Sequence, residues 1–190
     1  MAHRRLVDRA VAAWLLVLAG AVAAQAQANI EMHRTEVRQT DGQGGYPARS
    51  TRGRFFVISP IPFNDYSFTV DDPKIGPMVV HGIGSRMGQH EFGVIKFERT
   101  ARMKDIDLRT FIQDLAQKRG IRVPDLPIGH SGTEEFVRAE LRGPKQSAIT
   151  RVSKTPDSVF NIVCEFPTSE IETWRPLCDR SIASFRPEAP

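Results

Sequence analysis

Apolar and polar positions along this chain follow three rhythms. From Ala10 to Ala24 nearly every residue is apolar, with no period. Leu108, Phe111, Ile112, Leu115 and Ala116 stand at i, i+3, i+4, i+7 and i+8, one stripe of a 3.6-residue period. Elsewhere the commonest step is two. Tyr66-Ser-Phe-Thr-Val70 alternates strictly, and 54–59, 78–81, 91–100, 135–141, 148–153 and 158–166 are the other β-prone stretches.

The punctuation agrees with these elements. Ser59-Pro-Ile-Pro62 interrupts the first strand run, because two prolines remove donors from any ladder. Asp71-Asp72-Pro73 ends the next. Residues 82–88 read as a Gly-rich turn, Arg142-Gly-Pro-Lys145 as a hairpin turn, and Thr155-Pro-Asp157 as another. For the helix over 107–119, Asp105 or Asp107 can cap the N-terminus. Lys118 and Arg119 suit its C-terminal end, and Gly120 can take the left-handed stop. A second helix is predicted from Trp174, Leu177, Cys178, Ile182 and Phe185. Ser169 and Glu172 have capping-box spacing, but Pro176 fits only near a first turn. The regular helix is therefore expected from Thr173 to near Ser184, after a loose turn. Hairpins with segregated helices predict an α+β fold, an antiparallel sheet flanked by helices.

In the run 158–166, Phe160, Ile162, Cys164 and Phe166 share one face, and Val159 and Val163 share the other. Apolar residues on both faces predict a central, covered strand. Cys178 lies on the stripe of the helix that should cover the cysteine-bearing face. A Cys164–Cys178 disulfide is the reading for an oxidising compartment, closing a loop of about 14 residues worth ~3 kcal/mol. Two buried free thiols are the alternative.

The unbroken apolar run has a different meaning. Arg4, Arg5 and Arg9 precede it, and Ala24-Gln-Ala26 and Ala26-Gln-Ala28 follow. This is the arrangement of a secretory signal peptide over 1–26, with cleavage after Ala26 or Ala28. The run of about 15 residues is shorter than the ~20 a spanning helix needs. No later run is long enough to span, so no integral membrane segment is expected after cleavage, and the destination is the periplasm. Cleavage removes three of 26 basic and one of 22 acidic residues, so a formal charge of +4 becomes +2. That balance does not favour a nucleic-acid partner.

Residues 27–54 are predicted to be a flexible basic tail, with Gly42-Gln-Gly-Gly45 and Arg38, Arg49, Arg52 and Arg54. A single domain is expected over 55–186, with 187–190 as a C-terminal tail. The 41% hydrophobic and 25% charged composition is ordinary for a globular chain. It excludes collagen-like, coiled-coil and wholly disordered classes, and two cysteines exclude a disulfide-dense mini-protein.

Phe136-Val-Arg-Ala-Glu-Leu141, Val159-Phe-Asn-Ile-Val163, Glu172 with Trp174, and Ile182-Ala-Ser-Phe185 form a pattern over about residues 133–186. In it the chain resembles the PsbP-like family, whose founding members are extrinsic lumenal proteins of the photosystem oxygen-evolving complex. The resemblance implies an α/β/α sandwich around an antiparallel sheet, in proteins that bind partners or have no known activity. Cys164, Cys178 and Pro176 depart from the pattern.

Candidate chemistry is sparse. His33, His81, His90 and His130 form no i, i+4 pair and no His-Glu-x-x-His motif. His81, His90 and Glu91 are weak metal-ligand candidates if a hairpin brings them together. Gly82, Gly84 and Gly88 lack the Gly-Lys-Ser/Thr ending of a phosphate loop; turns and positive φ account for them. His130-Ser131 are adjacent, so strand geometry would point them to opposite faces. Glu134, Glu135 and Glu140 alternate with Arg138 and Arg142 and read as a solvated edge. Lys96, Arg99, Arg102 and Lys104 cluster near a strand end, where an acidic polymer or peptide fits better than nucleic acid. No catalytic residue and no cofactor is assigned. The expectation is an exported, non-enzymatic protein that binds a protein partner or a small ligand. The alternative is an exported hydrolase or metal-dependent enzyme near His81, His90 and Glu91.

Overall fold

The structure, a computed structural model, describes residues 30–72, 76–99, 107–118, 120, 121, 123 and 125–188. The signal peptide and its cleavage positions Ala26 and Ala28 lie outside these residues, as do Arg102, Lys104 and Asp105. No helix among the described residues is long and apolar enough to cross a membrane.

Among the described residues, eleven strands pair as antiparallel neighbours. They are β1 (Glu31–Val37), β2 (Tyr46–Arg49), β3 (Phe55–Ser59), β4 (Phe63–Asp72), β5 (Gly76–Met87), β6 (His90–Glu98), β7 (Gly129–Ser131), β8 (Glu134–Arg142), β9 (Gln146–Lys154), β10 (Ser158–Pro167) and β11 (Arg186–Pro187). Eight of them make one sheet in the order β1-β4-β5-β6-β10-β9-β8-β7, and β11-β3-β2 make a second. Among the described residues, two helices, α1 (Leu108–Lys118) and α2 (Ile171–Ser184), complete a sheet-rich α+β fold.

Alternation assigns each face of the large sheet. Tyr66, Phe68, Val80, Ile95, Phe97, Val159 and Val163 pack with α1 into one core. Phe63, Ile83, Phe92, Phe160, Ile162, Cys164 and Phe166 pack with α2 and the small sheet into the other. Strand β10 is central and buried on both sides, as its unbroken apolar pattern predicts. Each fully buried Phe or Ile contributes roughly 1.5–3 kcal/mol by leaving water. Helix flanking holds for the α1 face; the opposite layer is shared between α2 and the small sheet.

The helix ends follow local chemistry. Asp107 Oδ1 accepts from the Arg109 amide at 2.9 Å, and the Thr110 hydroxyl donates to Oδ2 at 2.9 Å. These bonds, the amide first, hold the Asp107 carboxyl below its ordinary range. Gly120 takes φ 68 and stops the helix. At α2 the capping box does not form. Glu170 takes the N-cap position, and its carboxylate instead accepts from Trp174 Nε1 at 3.1 Å. A 3-10 turn (Thr168–Glu170) leads directly into a helix that starts at Ile171, earlier than expected, with Pro176 inside it.

Three expectations are corrected. The tail of 27–54 is largely structured from residue 30 onwards: β1 pairs with β4, and β2 pairs with β3. Its loop is closed by Asp41, which accepts from the Gln43 and Gly45 amides at 2.8 and 3.0 Å and pairs with Arg180. The stabilisation comes from remote partners, which local periodicity does not display. Residues 187 and 188 of the expected C-terminal tail are docked in the same way. Pro187 pairs with Phe55, and Glu188 meets Arg49 at 3.0 Å. Thirdly, Gly82 and Gly84 are not in a turn but inside β5. A Cβ on Gly82 would lie 2.6 Å from the Tyr66 ring, and one on Gly84 would lie 2.8 Å from the Phe92 carbonyl oxygen. The bare backbone makes room for the buried Tyr66 side chain. Gly82→Ala is accordingly expected to cost about 1–3 kcal/mol by overpacking, read as a lower urea midpoint. An unchanged midpoint would show that the ring has room to move.

Candidate anion-binding face

On the α2 side of the large sheet, strand register aligns a polar row. Ser67 of β4 stands opposite His81 of β5, and His81 stands opposite Lys96 of β6. Neighbouring strands lie about 4.8 Å apart, so the three side chains rise from adjacent strands of one surface. Glu31 of β1 is opposite Ser67 on the outer side. His33 leans over the row, its Nε2 2.9 Å from Ser67 Oγ. Ser67 is buried, His81 and Lys96 half-buried.

The turn between β2 and β3 is held to this face by one carboxylate. Asp65 is fully buried on β4. It accepts from the Thr51 amide at 2.8 Å, the Thr51 hydroxyl, the Ser50 hydroxyl at 3.4 Å, and Arg34 Nε at 3.2 Å. Ser50 Oγ in turn accepts from the Gly53 amide at 2.8 Å. Arg54 adopts φ 51, a left-handed conformation uncommon outside glycine, and the Ser50 amide donates to the Phe55 carbonyl at 2.9 Å. This bracing fixes the turn that carries the exposed Arg52 and Arg54.

Their charges are felt at the row. Burial, then the Lys96 ammonium, lowers the His81 pKa; His33 and Arg52 act the same way, and Glu98 opposes them. Burial also lowers the Lys96 pKa, Arg54 adds to this, and Glu98 and Asp157 oppose it. His81 Nδ1 is buried and has no hydrogen-bond partner. Donors and cations that repel one another across a half-buried surface are suited to an anion, which replaces repulsion with attraction.

Glu31, His33 and Ser67 superficially form a base-activated hydroxyl. Two features argue for a supporting role instead. His33 Nδ1 is 3.7 Å from Glu31 Oε1, beyond hydrogen-bond reach, and Glu31 is largely exposed. Ser67 also lies mid-strand, where neighbouring amides serve the β1 and β5 ladders rather than a developing oxyanion.

The weak metal candidates do not meet. His81 is opposite Lys96, whereas His90 is opposite Met87, six residues further along the hairpin and thus about 20 Å away. His90 stacks on Trp174 with ring centres 4.0 Å apart, and its Nε2 is 2.9 Å from Glu170. Buried Glu91 faces Arg86 at 3.7 Å. Among the described residues, no three His, Cys, Asp or Glu side chains group as a metal site. His130 and Ser131 lie in β7, a short exposed edge strand in which adjacent side chains point to opposite faces. Glu134 and Glu135 pair with Arg151 and Lys154 at 3.0 and 2.9 Å, and Glu140 pairs with Arg142 and with Arg175. These carboxylates brace the sheet and α2. Cys164 and Cys178 are joined in a disulfide, with Cα atoms 5.8 Å apart.

His33, Ser67, Arg52 and Arg54 are the residues of this face that the sequence did not mark as a site. Alternation in 66–70 already put Ser67 and Thr69 on a face opposite Tyr66 and Phe68. His33 and the arginines were hidden by their place in a segment with no rhythm of its own.

No protein-family model matches the sequence, and no curated protein matches it. Among solved structures the chain is similar to the solution structure of cyanobacterial PsbP (CyanoP) from Synechocystis sp. PCC 6803. The TM-score is 0.50 and the identity 13%, over 79% of this chain and 98% of that one. At that identity the likeness is one of architecture: the chain has a PsbP-like fold.

Proposed function

We propose that this is an exported, non-catalytic binding protein, an α/β/α sandwich of PsbP-like type, whose ligand or partner presents a negative charge to the row Ser67, His81 and Lys96. The observation that carries the reading is the register that lines up Ser67, His81 and Lys96 on adjacent strands of one half-buried surface. Arg52 and Arg54, whose charges act on His81 and Lys96, supply guanidinium groups suited to carboxylate or phosphate. Export is supported by the first 28 residues and by the disulfide, which persists in oxidising compartments.

Thermal unfolding in a panel of citrate, inorganic phosphate, sulfate and oligoglutamate, at fixed ionic strength, tests the reading. A ligand at a hundred times its Kd stabilises by about 2.7 kcal/mol, and at least one anion is expected to raise the Tm. The doubly reversed Arg52→Glu, Lys96→Glu protein is expected to lose that rise. A panel that moves neither protein, or moves both equally, refutes the assignment of the face.

A further inference from the structure

The row contains a histidine, and its surroundings say what gaining a proton there does. His81 stands opposite Ser67 on β4 and Lys96 on β6, and the charges of Lys96, Glu98, His33 and Arg52 act on it; Glu31 lies beyond Ser67 on β1, and Asp157 and Arg54 act on Lys96. Its Nδ1 has no partner, so any proton it gains there is without an acceptor among its described neighbours. An oxyanion seated beside the accessible part of His81 and Lys96 supplies the compensating charge without contacting the sealed Nδ1. It also screens His81 from the ammonium beside it.

Building on the binding face proposed above, we propose that the ligand is an oxyanion, of the sulfate, phosphate or carboxylate type, and that His81 takes up a proton as it binds. The two events reinforce each other. The anion removes the electrostatic penalty on imidazolium, and imidazolium adds a charged donor to the anion's site. By linkage, whatever factor the anion contributes to protonation, protonation returns to anion affinity. In the empty protein, burial and Lys96 keep His81 neutral to lower pH than a free imidazole. The binding-competent charge is therefore acquired mainly with the ligand present. The site would hold an oxyanion in an acidified compartment and release it toward alkaline pH.

Sulfate is the suitable probe, because it remains a dianion throughout and leaves only the protein to titrate. Calorimetric titration of the exported chain with sodium sulfate, at about pH 5 and pH 8 and fixed ionic strength, is expected to give at least tenfold tighter binding at the lower pH. The coupling is within the common range of about 5–150-fold. His81→Asn is expected to reduce the difference to less than about threefold, and Lys96→Gln to weaken binding at both values. Since a substitution can disturb the sheet, the His81 ring resonances of the unmodified protein supply a second reading: saturating sulfate should move their titration midpoint upward. Equal affinity at both pH values, or an unmoved midpoint with sulfate bound, overturns the proton coupling and leaves the binding face standing. No sulfate binding at either pH, together with no response to the phosphate, citrate and oligoglutamate of the wider panel, overturns the oxyanion assignment and the binding face with it.

Discussion

Asp65→Ala is expected to lower stability by about 3 kcal/mol, with a drop of more than about 1 M in the urea midpoint and little change in slope. The carboxylate is fully buried, and its acceptors are committed to Arg34, Ser50 and Thr51. Removing it orphans the Thr51 amide and the Ser50 hydroxyl together, and leaves the Arg34 guanidinium without its anion. Arg34 keeps part of its hydration, since 39% of its side chain is exposed, so the cost should sit at the lower end for a broken buried pair. The loss is specific to the candidate site. The same bonds hold the turn that carries Arg52 and Arg54, so the anion response should fade even under conditions where the variant is fully folded. Asp65→Asn separates the two roles. It keeps the shape and one acceptor, so most stability should return, whereas the charge that holds Arg34 is gone. A variant of native stability would show that the turn is anchored by the β2–β3 pairing alone.

The pH dependence of stability at His81 has a definite sign. Its folded pKa is depressed by burial first and by Lys96 next. Protons then bind the unfolded chain better than the folded one near and below the ordinary histidine value of about 6.5. Stability supplied by this group is present above that value and is lost as pH falls toward the folded pKa. A bound oxyanion opposes the loss. Acid sensitivity of the empty protein that sulfate relieves is thus one consequence of the same arrangement.

The parts of the fold that were legible in the sequence are those whose cause is local. The helix α1 was readable because its stripe, its Asp107 cap and its Gly120 stop all lie within fourteen residues. Strand β10 was readable because burial on both faces leaves an unbroken apolar run. What stayed hidden depends on distant partners. Nothing near Glu31–Val37 says that β4 will accept it as an edge, and nothing near Arg52 says that a carboxylate at 65 will hold its turn. The glycines of β5 misled for a related reason. A glycine that makes room for Tyr66 from the neighbouring strand looks, in sequence, like a glycine that makes a turn. The candidate site inherits this division. Lys96 and the alternation around Ser67 were visible, but the convergence with His33, Arg52 and Arg54 is a property of register. Register also separates His81 from His90, although nine positions with a glycine-rich middle suggested a meeting.

Replacing both Cys164 and Cys178 by alanine is expected to lower the Tm by about 10 °C. The bridge closes a sequence separation of 14, for which loop-closure entropy gives ~3 kcal/mol, and a domain of this size loses about 2–4 °C per kcal/mol. Alanine is the informative choice, because both sulfurs are buried in apolar surroundings where a serine hydroxyl would add a desolvation cost. The bridge also compensates for a local weakness. Pro176 lies inside α2, where it has no amide to donate to the carbonyl one turn back, at Glu172. Two residues further on, Cys178 pins the same helix to β10. Beyond that point α2 carries the Arg180 contact to Asp41 and the Ser184 hydroxyl that accepts from the Ile58 amide at 2.7 Å. The helix therefore holds the small sheet, and with it the β2–β3 turn, against the large one. Pro176→Ala in the bridgeless background is then expected to return at least about 1 kcal/mol, since proline is the poorest residue in a helix interior. A double-cysteine variant that melts with the wild type would show that packing alone secures α2, and the anion response should then survive reduction unchanged.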